Sequence, residues 1–378
     1  MNLIAFTASK LKAENLQLTK DDELFTSELY QADLNNEYTL EIDMTGFLKH
    51  DAMHLKFPME NRDTDFEWWY FDAALDTGDH VVVMYSMNDT RVYPRQPTVR
   101  LNIYTADGRE ISELVRYTDE QVSVSYDKCD VQLGADICID QGDHFEIKVM
   151  CNQHGFHLKL FKDFEHWVVG KTPQEMEHVA MGWTIAVPQG RVEGTLIKDG
   201  VETIVKGSGY RDHNWGTKPM STGLRNWYWG KLHTPEYAVD YSVMIPREGE
   251  PQPMCLVFSK DGVVIDPVFN REGLVLTGSV ENIVPASESE LGLAYASTLK
   301  MKASQGNFEI EFKIELDHLV MAERPLKECA PHGEPAYRYI GNETIKITKA
   351  GETHEYKTQA LHEIVFTVSA EDQYKGYA

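Results

Sequence analysis

Short runs of strand-forming residues recur along almost the whole chain, and this spacing is the feature that most limits the possible folds. Runs such as 66–74, 98–105, 131–139 and 144–152 have the length of strands and follow one another at intervals of about 10 to 15 residues. Turn residues such as Asp76-Thr77-Gly78-Asp79 separate several of them. The strongest helix pattern, at 172–180, is short. Regular short strands with few helices predict an all-β chain built from barrels or sandwiches.

The length and a faint internal repeat favour two domains. With 378 residues the chain exceeds what one hydrophobic core usually fills. An aromatic run at 68–71, followed by a strand carrying Tyr85-Ser86, resembles a second aromatic run at 227–230, followed by a strand carrying Tyr241-Ser242. We therefore expect three parts: an N-terminal extension at 1–50 that packs on the barrels, one β-barrel or sandwich domain at 51–222 and a similar domain at 223–378.

The balance of charge argues against two classes of partner. There are 60 acidic and 36 basic residues, a formal net charge of −24, and the acidic residues are spread along the chain. Such a surface repels phosphate backbones and anionic lipid, so we expect no binding to nucleic acid or to a membrane surface. Residues 1–16 lack the apolar core of a signal peptide, and no run approaches about 18 apolar residues. The expectation is a cytoplasmic protein without stable membrane insertion.

The cysteines are expected to be free thiols. Five is an odd number, and no two of them form a Cys-x-x-Cys pair, so neither a disulfide framework nor a zinc site is indicated. In a strand, His154 and His157 would face opposite sides, which does not suit a shared metal ion. The sequence also lacks the motifs of a serine nucleophile and of nucleotide binding. We therefore expect no functional metal site.

The densest set of proton-carrying side chains is the heptapeptide at 210–216, Tyr-Arg-Asp-His-Asn-Trp-Gly. Side chains alternate along a strand, so Tyr210, Asp212 and Asn214 would share one face. Asp212 would then lie between a phenol and an amide, while His213 would face away from it and act as a structural hydrogen-bonding residue. An aspartate is seldom interior unless it is hydrogen-bonded or functional. Asp212 is therefore the candidate catalytic residue, with Tyr210 as its partner.

Three other aromatic-rich stretches are expected to form the walls of the same site. Six of the seven tryptophans lie in these stretches and in the heptapeptide, although simple interior packing also accounts for any single ring. The heptapeptide ends the first half of the chain and one aromatic stretch opens the second half, which places the expected site near the seam between the domains. The candidate substrate-binding residues are Glu67, Trp68, Trp69, Tyr70, Trp183, His213, Asn214, Trp215, Trp227 and Trp229.

At these residues the chain resembles the lipocalin-like proteins that include AttH and the bacterial carotenoid 1,2-hydratases (hydroxyneurosporene synthases), and more distantly the fungal decalin-forming Diels–Alderases. The motifs that carry the resemblance are Glu67-Trp68-Trp69-Tyr70-Phe71, Trp183 ahead of Val187-Pro188, the stretch 209–216, and Trp227-Tyr228-Trp229-Gly230. The resemblance implies two lipocalin-like β-domains in tandem, apolar isoprenoid or polyene substrates, and no cofactor.

The same resemblance implies roles for particular residues. Tyr210 and Asp212 match a Tyr and an Asp that matter for activity in the hydratases, and Trp183 matches an upstream Trp. Met181 stands where the resemblance implies a His, which leaves one proton carrier fewer and a more apolar wall.

The first functional hypothesis is acid catalysis on a carbon–carbon double bond. Protonation of an alkene creates a tertiary carbocation, so the site needs a protonated acid at neutral pH and a lining that tolerates positive charge. Burial raises a carboxyl pKa by as much as about 3 to 5 units. Each desolvated ring face contributes on the order of 2 kcal/mol to a nearby cation. Quenching of the cation by water, by an internal group or by proton loss would give a hydratase, a cyclase or an isomerase, and the sequence leaves this choice open.

Two other hypotheses need no acid. A shaped apolar pocket that folds a polyene into a reactive conformer could lower the barrier of a cycloaddition by roughly 7 to 11 kcal/mol, which would make the chain a pericyclase of the Diels–Alderase type. A non-catalytic lipocalin-like binder of an apolar ligand is the third, and the interior acid argues against it. The substitution Asp212→Asn separates the first two, because it should abolish proton-initiated turnover and largely spare a pericyclic reaction.

Overall fold

The computed structural model describes residues 23–26, 47–169, 181–220, 223–246, 251–267, 273–325, 329 and 334–367. Among these residues strands dominate, and the all-β prediction is confirmed. The expected helix at 172–180 and most of the expected extension at 1–50 lie outside the described residues. In the parts of the chain that are described, no helix has the length and apolarity needed to cross a bilayer. Two short elements come first, strand β1 (Glu23–Thr26) and helix α1 (Phe47–His50).

The chain divides into two compact units, and the described residues of the first are 47–169 and 181–219. They form one sheet of 12 strands in which neighbouring strands are antiparallel. The strands are β2 (Phe66–Leu75), β3 (His80–Ser86), β4 (Thr98–Tyr104), β5 (Glu110–Arg116), β6 (Val122–Val124), β7 (Asp130–Leu133), β8 (Asp136–Asp140), β9 (His144–Cys151), β10 (His154–Phe161), β11 (Trp167–Val169), β12 (Gly182–Lys198) and β13 (Val201–Gly216), with a 3-10 helix at Asp119–Gln121.

Side-chain alternation explains how the first unit forms its core. On β9, Phe145, Ile147 and Val149 are buried in the core and the residues between them are more exposed, as expected for a strand with one apolar face. On β2 and β3 the odd-numbered residues, including Trp69 and Tyr85, enter the same core. The even-numbered residues of β2 therefore point to the opposite face of the sheet.

One stretch of the first unit differs from the prediction. The sequence pattern suggested a single strand at 131–139, whereas the chain turns back after Leu133 and forms the hairpin of β7 and β8. Gly134 has a φ of 58°, in the left-handed region that side chains disfavour. A Cβ atom at this position would also lie 2.8 Å from the ring of Tyr117. The turn therefore depends on a single glycine, without the paired turn residues that mark a hairpin in sequence.

The second unit includes β1 and the described residues of 220–367. They form one antiparallel sheet of 10 strands around a separate apolar core. After β1 these strands are β14 (Leu224–His233), β15 (Tyr237–Pro246), β16 (Gln252–Ser259), β17 (Gly262–Ile265), β18 (Val275–Val284), β19 (Tyr295–Gln305), β20 (Phe308–Glu323), β21 (Ala336–Lys349) and β22 (Glu352–Phe366), with a 3-10 helix at Ala286–Glu288.

The internal repeat corresponds to a hairpin in each unit. In the first unit the aromatic strand β2 pairs with β3, which places Trp69 opposite Tyr85. In the second unit the aromatic strand β14 pairs with β15, which places Gly230 opposite Tyr241. Each aromatic run thus lies beside its own Tyr-Ser strand.

Candidate active site

Strand β13 brings three of the predicted residues together on one face. Asp212 is buried, and its carboxyl group accepts hydrogen bonds from both neighbours on that face. The hydroxyl of Tyr210 donates to Oδ2 at 2.9 Å, and Nδ2 of Asn214 donates to Oδ1 at 3.0 Å. The prediction that Asp212 lies between a phenol and an amide is confirmed.

A third donor comes from the neighbouring strand β12. In the register of the two strands Trp183 lies opposite Asn214, and its Nε1 donates to Oδ2 of Asp212 at 2.9 Å. The indole is itself buried and makes an edge contact with the ring of Trp167, with 5.7 Å between ring centroids. The carboxyl group of Asp212 therefore has three neutral hydrogen-bond donors from two strands.

Burial dominates the protonation of this carboxyl group. Loss of hydration raises the pKa of Asp212 from 3.8 to about 7, although the bonds from Trp183, Tyr210 and Asn214 and the charge of Arg211 act in the opposite direction. At neutral pH both the protonated and the ionised forms are populated. A group with this pKa can donate a proton and recover it from solvent near pH 7.

A second Tyr-Asp pair lies directly beside the first, on β2. Tyr70 is opposite Asp212 in the register, and Asp72 is opposite Tyr210. The hydroxyl of Tyr70 donates to Oδ2 of Asp72 at 2.8 Å, and the rings of Tyr70 and Tyr210 are in edge contact with 6.3 Å between centroids. Asp72 is buried, and the sequence did not lead us to expect it at the site. The signal that could have found it is the repeated Tyr-x-Asp spacing of 70–72 and 210–212.

Apolar side chains flank these polar groups on neighbouring strands. Ile185 on β12 lies opposite Asp212, while Met84 and Val82 on β3 lie opposite Tyr70 and Asp72. Ile185 and Val82 are fully buried. The face of the sheet that carries the acid is thus bordered by hydrocarbon on both sides.

The other face of β13 carries a buried ion pair. Nη1 of Arg211 lies 2.8 Å from both carboxylate oxygens of Asp51, and the guanidinium stacks over the ring of Phe145. Nη2 of Arg211 also lies 2.8 Å from the sulfur of Cys129. Burial raises the pKa of Asp51 to about 6 although Arg211 favours the ionised form. Arg211 therefore belongs to the buried core on the face of the sheet opposite Asp212.

Four of the predicted substrate-binding residues lie on this second face and not on the face of Asp212. Glu67 bonds to Nε2 of His213 at 3.0 Å and accepts the backbone N–H groups of residues 54 and 55. The ring of Trp69 stacks on His213 at 4.2 Å, and Trp215 stacks on His54 at 3.7 Å. Burial raises the pKa of Glu67 to about 8 and lowers the pKa of His213 well below its usual value. His213 faces away from Asp212, as expected from alternation.

The remaining predicted residues divide between the two units. Trp68 is opposite Asn214 in the register and is partly buried on the face of Asp212. In the second unit, Trp229 is buried and donates from Nε1 to Asp240 at 3.2 Å, whereas Trp227 is only partly buried. The structure thus collects Tyr70, Trp68, Trp183 and Asn214 around Asp212 within the first unit.

Metal-ligating side chains are not clustered in the described residues. No group of three or more His, Cys, Asp or Glu side chains there is arranged to hold a metal ion. All five cysteines lie among the described residues, where they are buried and form no disulfide bond.

Comparison with known proteins finds one relative of part of the sequence and solved structures with a similar fold. No family model matches the chain. A hydroxyneurosporene dehydrogenase of Chlorobaculum tepidum is 27% identical over 146 residues, which is 36% of this chain and 35% of that protein. The match therefore spans about a third of the relative's length.

Solved structures match over most of the chain. Kievitone hydratase from Nectria haematococca has a TM-score of 0.50 at 16% identity, with 82% of this chain and 91% of that chain covered. A candidate AttH protein from Nitrosomonas europaea has a TM-score of 0.53 at 12% identity, with 83% and 97% covered. At this level of identity the likeness concerns the fold. The predicted resemblance to the lipocalin-like AttH proteins is confirmed at that level.

Proposed function

We propose that this chain is an enzyme that protonates a carbon–carbon double bond of an apolar isoprenoid or polyene substrate without a cofactor, with Asp212 as the proton donor and Tyr210 as its partner. One observation carries the proposal. The carboxyl group of Asp212 is buried, has a pKa of about 7, and has three neutral hydrogen-bond donors. A carboxyl group in this state is available as an acid at the pH where ordinary aspartates are ionised.

The three donors address the main weakness of such an acid. A carboxyl group with a pKa near 7 gives up its proton less readily than an ordinary aspartic acid. Hydrogen bonds to an ionised acceptor are roughly twice as strong as neutral ones, so the bonds from Trp183, Tyr210 and Asn214 strengthen as the proton leaves Asp212. Because the donors are already in place, they stabilise the developing carboxylate without reorganisation.

The surroundings of Asp212 suit a substrate that becomes cationic. Aromatic rings of Tyr70, Trp183 and Tyr210 lie around the carboxyl group, and a desolvated ring face contributes on the order of 2 kcal/mol to a cation. That amount corresponds to more than a factor of ten in rate for each ring that faces the charge. The flanking hydrocarbon of Ile185 and Val82 favours an apolar substrate over a sugar or a nucleotide.

The comparisons support this class of reaction by analogy. Kievitone hydratase shares the fold and by its name adds water to its substrate, and the partial relative is named for hydroxyneurosporene. Fold alone does not fix activity, so the proposal depends on the residues around Asp212. Hydration and cyclisation are both compatible with a cation formed by Asp212.

The test follows a proton from solvent into the substrate. The protein is incubated in D2O with squalene, geranylgeraniol, lycopene or kievitone, and products and recovered substrate are analysed by mass spectrometry and NMR. We expect one deuterium at one alkene carbon with the parent protein and none with Asp212→Asn. Small molecules that copurify with the two proteins are identified in the same way.

The matched control is Asp136→Asn. Asp136 is another buried aspartate of the first unit that accepts a bond from a tyrosine, Tyr117, at 2.7 Å. This substitution tests whether a change to any buried Tyr-Asp hydrogen bond is enough to stop the reaction. Product formation without deuterium would favour the pericyclic alternative, and full deuterium uptake by Asp212→Asn would reject Asp212 as the proton donor.

A further inference from the structure

We propose that Asp72 is a second catalytic carboxylate, which accepts a proton from the water that attacks the carbocation, so that the reaction of this site is hydration. This inference rests on the proposed function of Asp212. It assigns the acid and the base of one reaction to two paired strands.

Two identical motifs are placed reciprocally on these strands. Tyr70 and Asp72 on β2 are opposite Asp212 and Tyr210 on β13, so each aspartate faces the tyrosine of the other strand. Each tyrosine also donates a hydrogen bond to the aspartate of its own strand, at 2.8 Å and 2.9 Å. Both aspartates are buried on the same face of the sheet. The site therefore contains two carboxyl groups, each with a hydrogen bond from a tyrosine of its own strand.

The register also sets the spacing between the two strand positions. Asp72 and Asp212 are diagonal neighbours on an antiparallel pair of strands, and such positions are roughly 7 to 8 Å apart. In glycosidases that use one carboxyl group as acid and another to activate a water molecule, the two groups are about 6.5 to 9.5 Å apart. The two positions on β2 and β13 thus have a spacing similar to the one that acid and base carboxyl groups have in those enzymes.

The two aspartates differ in their surroundings. Asp212 has three neutral donors and a pKa raised by burial, which suits a group that starts the reaction protonated. Asp72 lies on the neighbouring strand β2, where Val82 of β3 is opposite it and the hydroxyl of Tyr70 donates to its Oδ2. The bond from Tyr70 orients the carboxyl group of Asp72, and a carboxyl group has acceptor sites beyond the one that a single donor uses.

The steps balance without any further reactant. The proton of Asp212 forms a C–H bond with one alkene carbon, and the π electrons of the double bond leave the other carbon as a cation. The oxygen of water forms a C–O bond with that cation and releases a proton to the carboxylate of Asp72. Asp212 ends ionised and Asp72 protonated, and exchange with solvent restores both groups. The net reaction is alkene plus water to tertiary alcohol.

The experiment separates the two proton transfers with two isotopes. The parent protein, Asp212→Asn and Asp72→Asn are each incubated with squalene, geranylgeraniol, lycopene or kievitone, once in D2O and once in H2(18)O. With the parent we expect deuterium on carbon and 18O in the alcohol. Asp212→Asn should lose both labels. Asp72→Asn should keep deuterium exchange into recovered alkene within about 3-fold while 18O uptake falls by about 100-fold or more, the contribution typical of a general base.

The matched control is again Asp136→Asn, which removes a buried Tyr-Asp bond away from the site and should keep both labels. If Asp72→Asn does not fold, Tyr70→Phe removes only the hydroxyl that holds Asp72, and it should lower 18O uptake about 10-fold with little change in deuterium exchange. Equal loss of both labels in these variants, or no change in 18O uptake, would overturn the role of Asp72. Deuterium uptake by the parent without 18O overturns hydration and the role of Asp72 but leaves the proposed function of Asp212 standing, whereas a parent that takes up neither label overturns the proposed function as well.

Discussion

The substitution Asp212→Asn tests the electrostatics of the site without any substrate. Folding raises the pKa of this carboxyl group from 3.8 to about 7. The stability that comes from binding the proton is therefore fully present below about pH 4 and is lost as the pH rises through 7. The amide of asparagine does not ionise, so the variant avoids this loss.

The size of the effect follows from the two pKa values. At pH 9 the difference between the two pKa values destabilises the folded parent by about 4 kcal/mol, while at pH 5 the destabilisation is only about 2 kcal/mol. The free energy of unfolding of Asp212→Asn should thus rise by about 2 kcal/mol relative to the parent between pH 5 and pH 9. Changes in hydrogen bonding that do not depend on pH cancel from this difference.

Urea unfolding at pH 5, 7 and 9, followed by tryptophan fluorescence, measures the difference. The exposed aspartate Asp261 changed to Asn controls for the loss of one negative charge from an acidic protein. Carboxyl 13C NMR of aspartate-labelled protein gives the titration directly, since the resonance of Asp212 is the one missing from the variant. A stability difference that is the same at pH 5 and pH 9, together with a resonance that titrates near pH 4, would show that burial does not keep Asp212 protonated and would refute its role as the acid.

Three further substitutions test particular contacts. Trp183→Phe removes one donor from the carboxylate of Asp212, so the pKa of Asp212 should rise further, and NMR titration should show an upward shift, while an unchanged titration would contradict the bond. Arg211→Met leaves Asp51 buried without its cation and should lower the free energy of unfolding by about 3 to 5 kcal/mol in urea unfolding; a change below about 1 kcal/mol would contradict the buried pair. Gly230→Ala places a Cβ atom 2.2 Å from the ring of a buried histidine and should lower the Tm. An unchanged Tm would contradict this close contact.

Alternation predicted the two faces of the heptapeptide correctly, because the period of two is a property of any strand. It needed no knowledge of which strands become neighbours. The bond from Trp183 to Asp212 depends on the register of β12 and β13, so the sequence predicted Trp183 as a site residue but did not predict this bond. Glu67 and Trp69 are neighbours of Trp68 in the sequence and were predicted as substrate-binding residues, although side-chain alternation places them on the face opposite Asp212.

Asp72 was missed for a different reason. Strand β2 is buried on both faces, so its burial pattern does not alternate, and an aspartate within an aromatic run gives no periodic signal. The hairpin of β7 and β8 was also missed, since one glycine makes its turn. The repeated Tyr-x-Asp spacing marks Asp72 only once β2 and β13 are known to be neighbours, and a single sequence does not contain that pairing.

Residues 210–212 of β13 alternate between two unrelated roles: Tyr210 and Asp212 point to the face of the proposed chemistry, and Arg211 forms an ion pair with Asp51 on the opposite face. One residue inserted upstream within this strand would exchange these roles, sending the guanidinium to the face of the acid and the acid into the apolar core. Changes in length should therefore be tolerated at turns such as 199–200 and not within this part of β13. Homologues that keep the site should align through 207–216 without a gap.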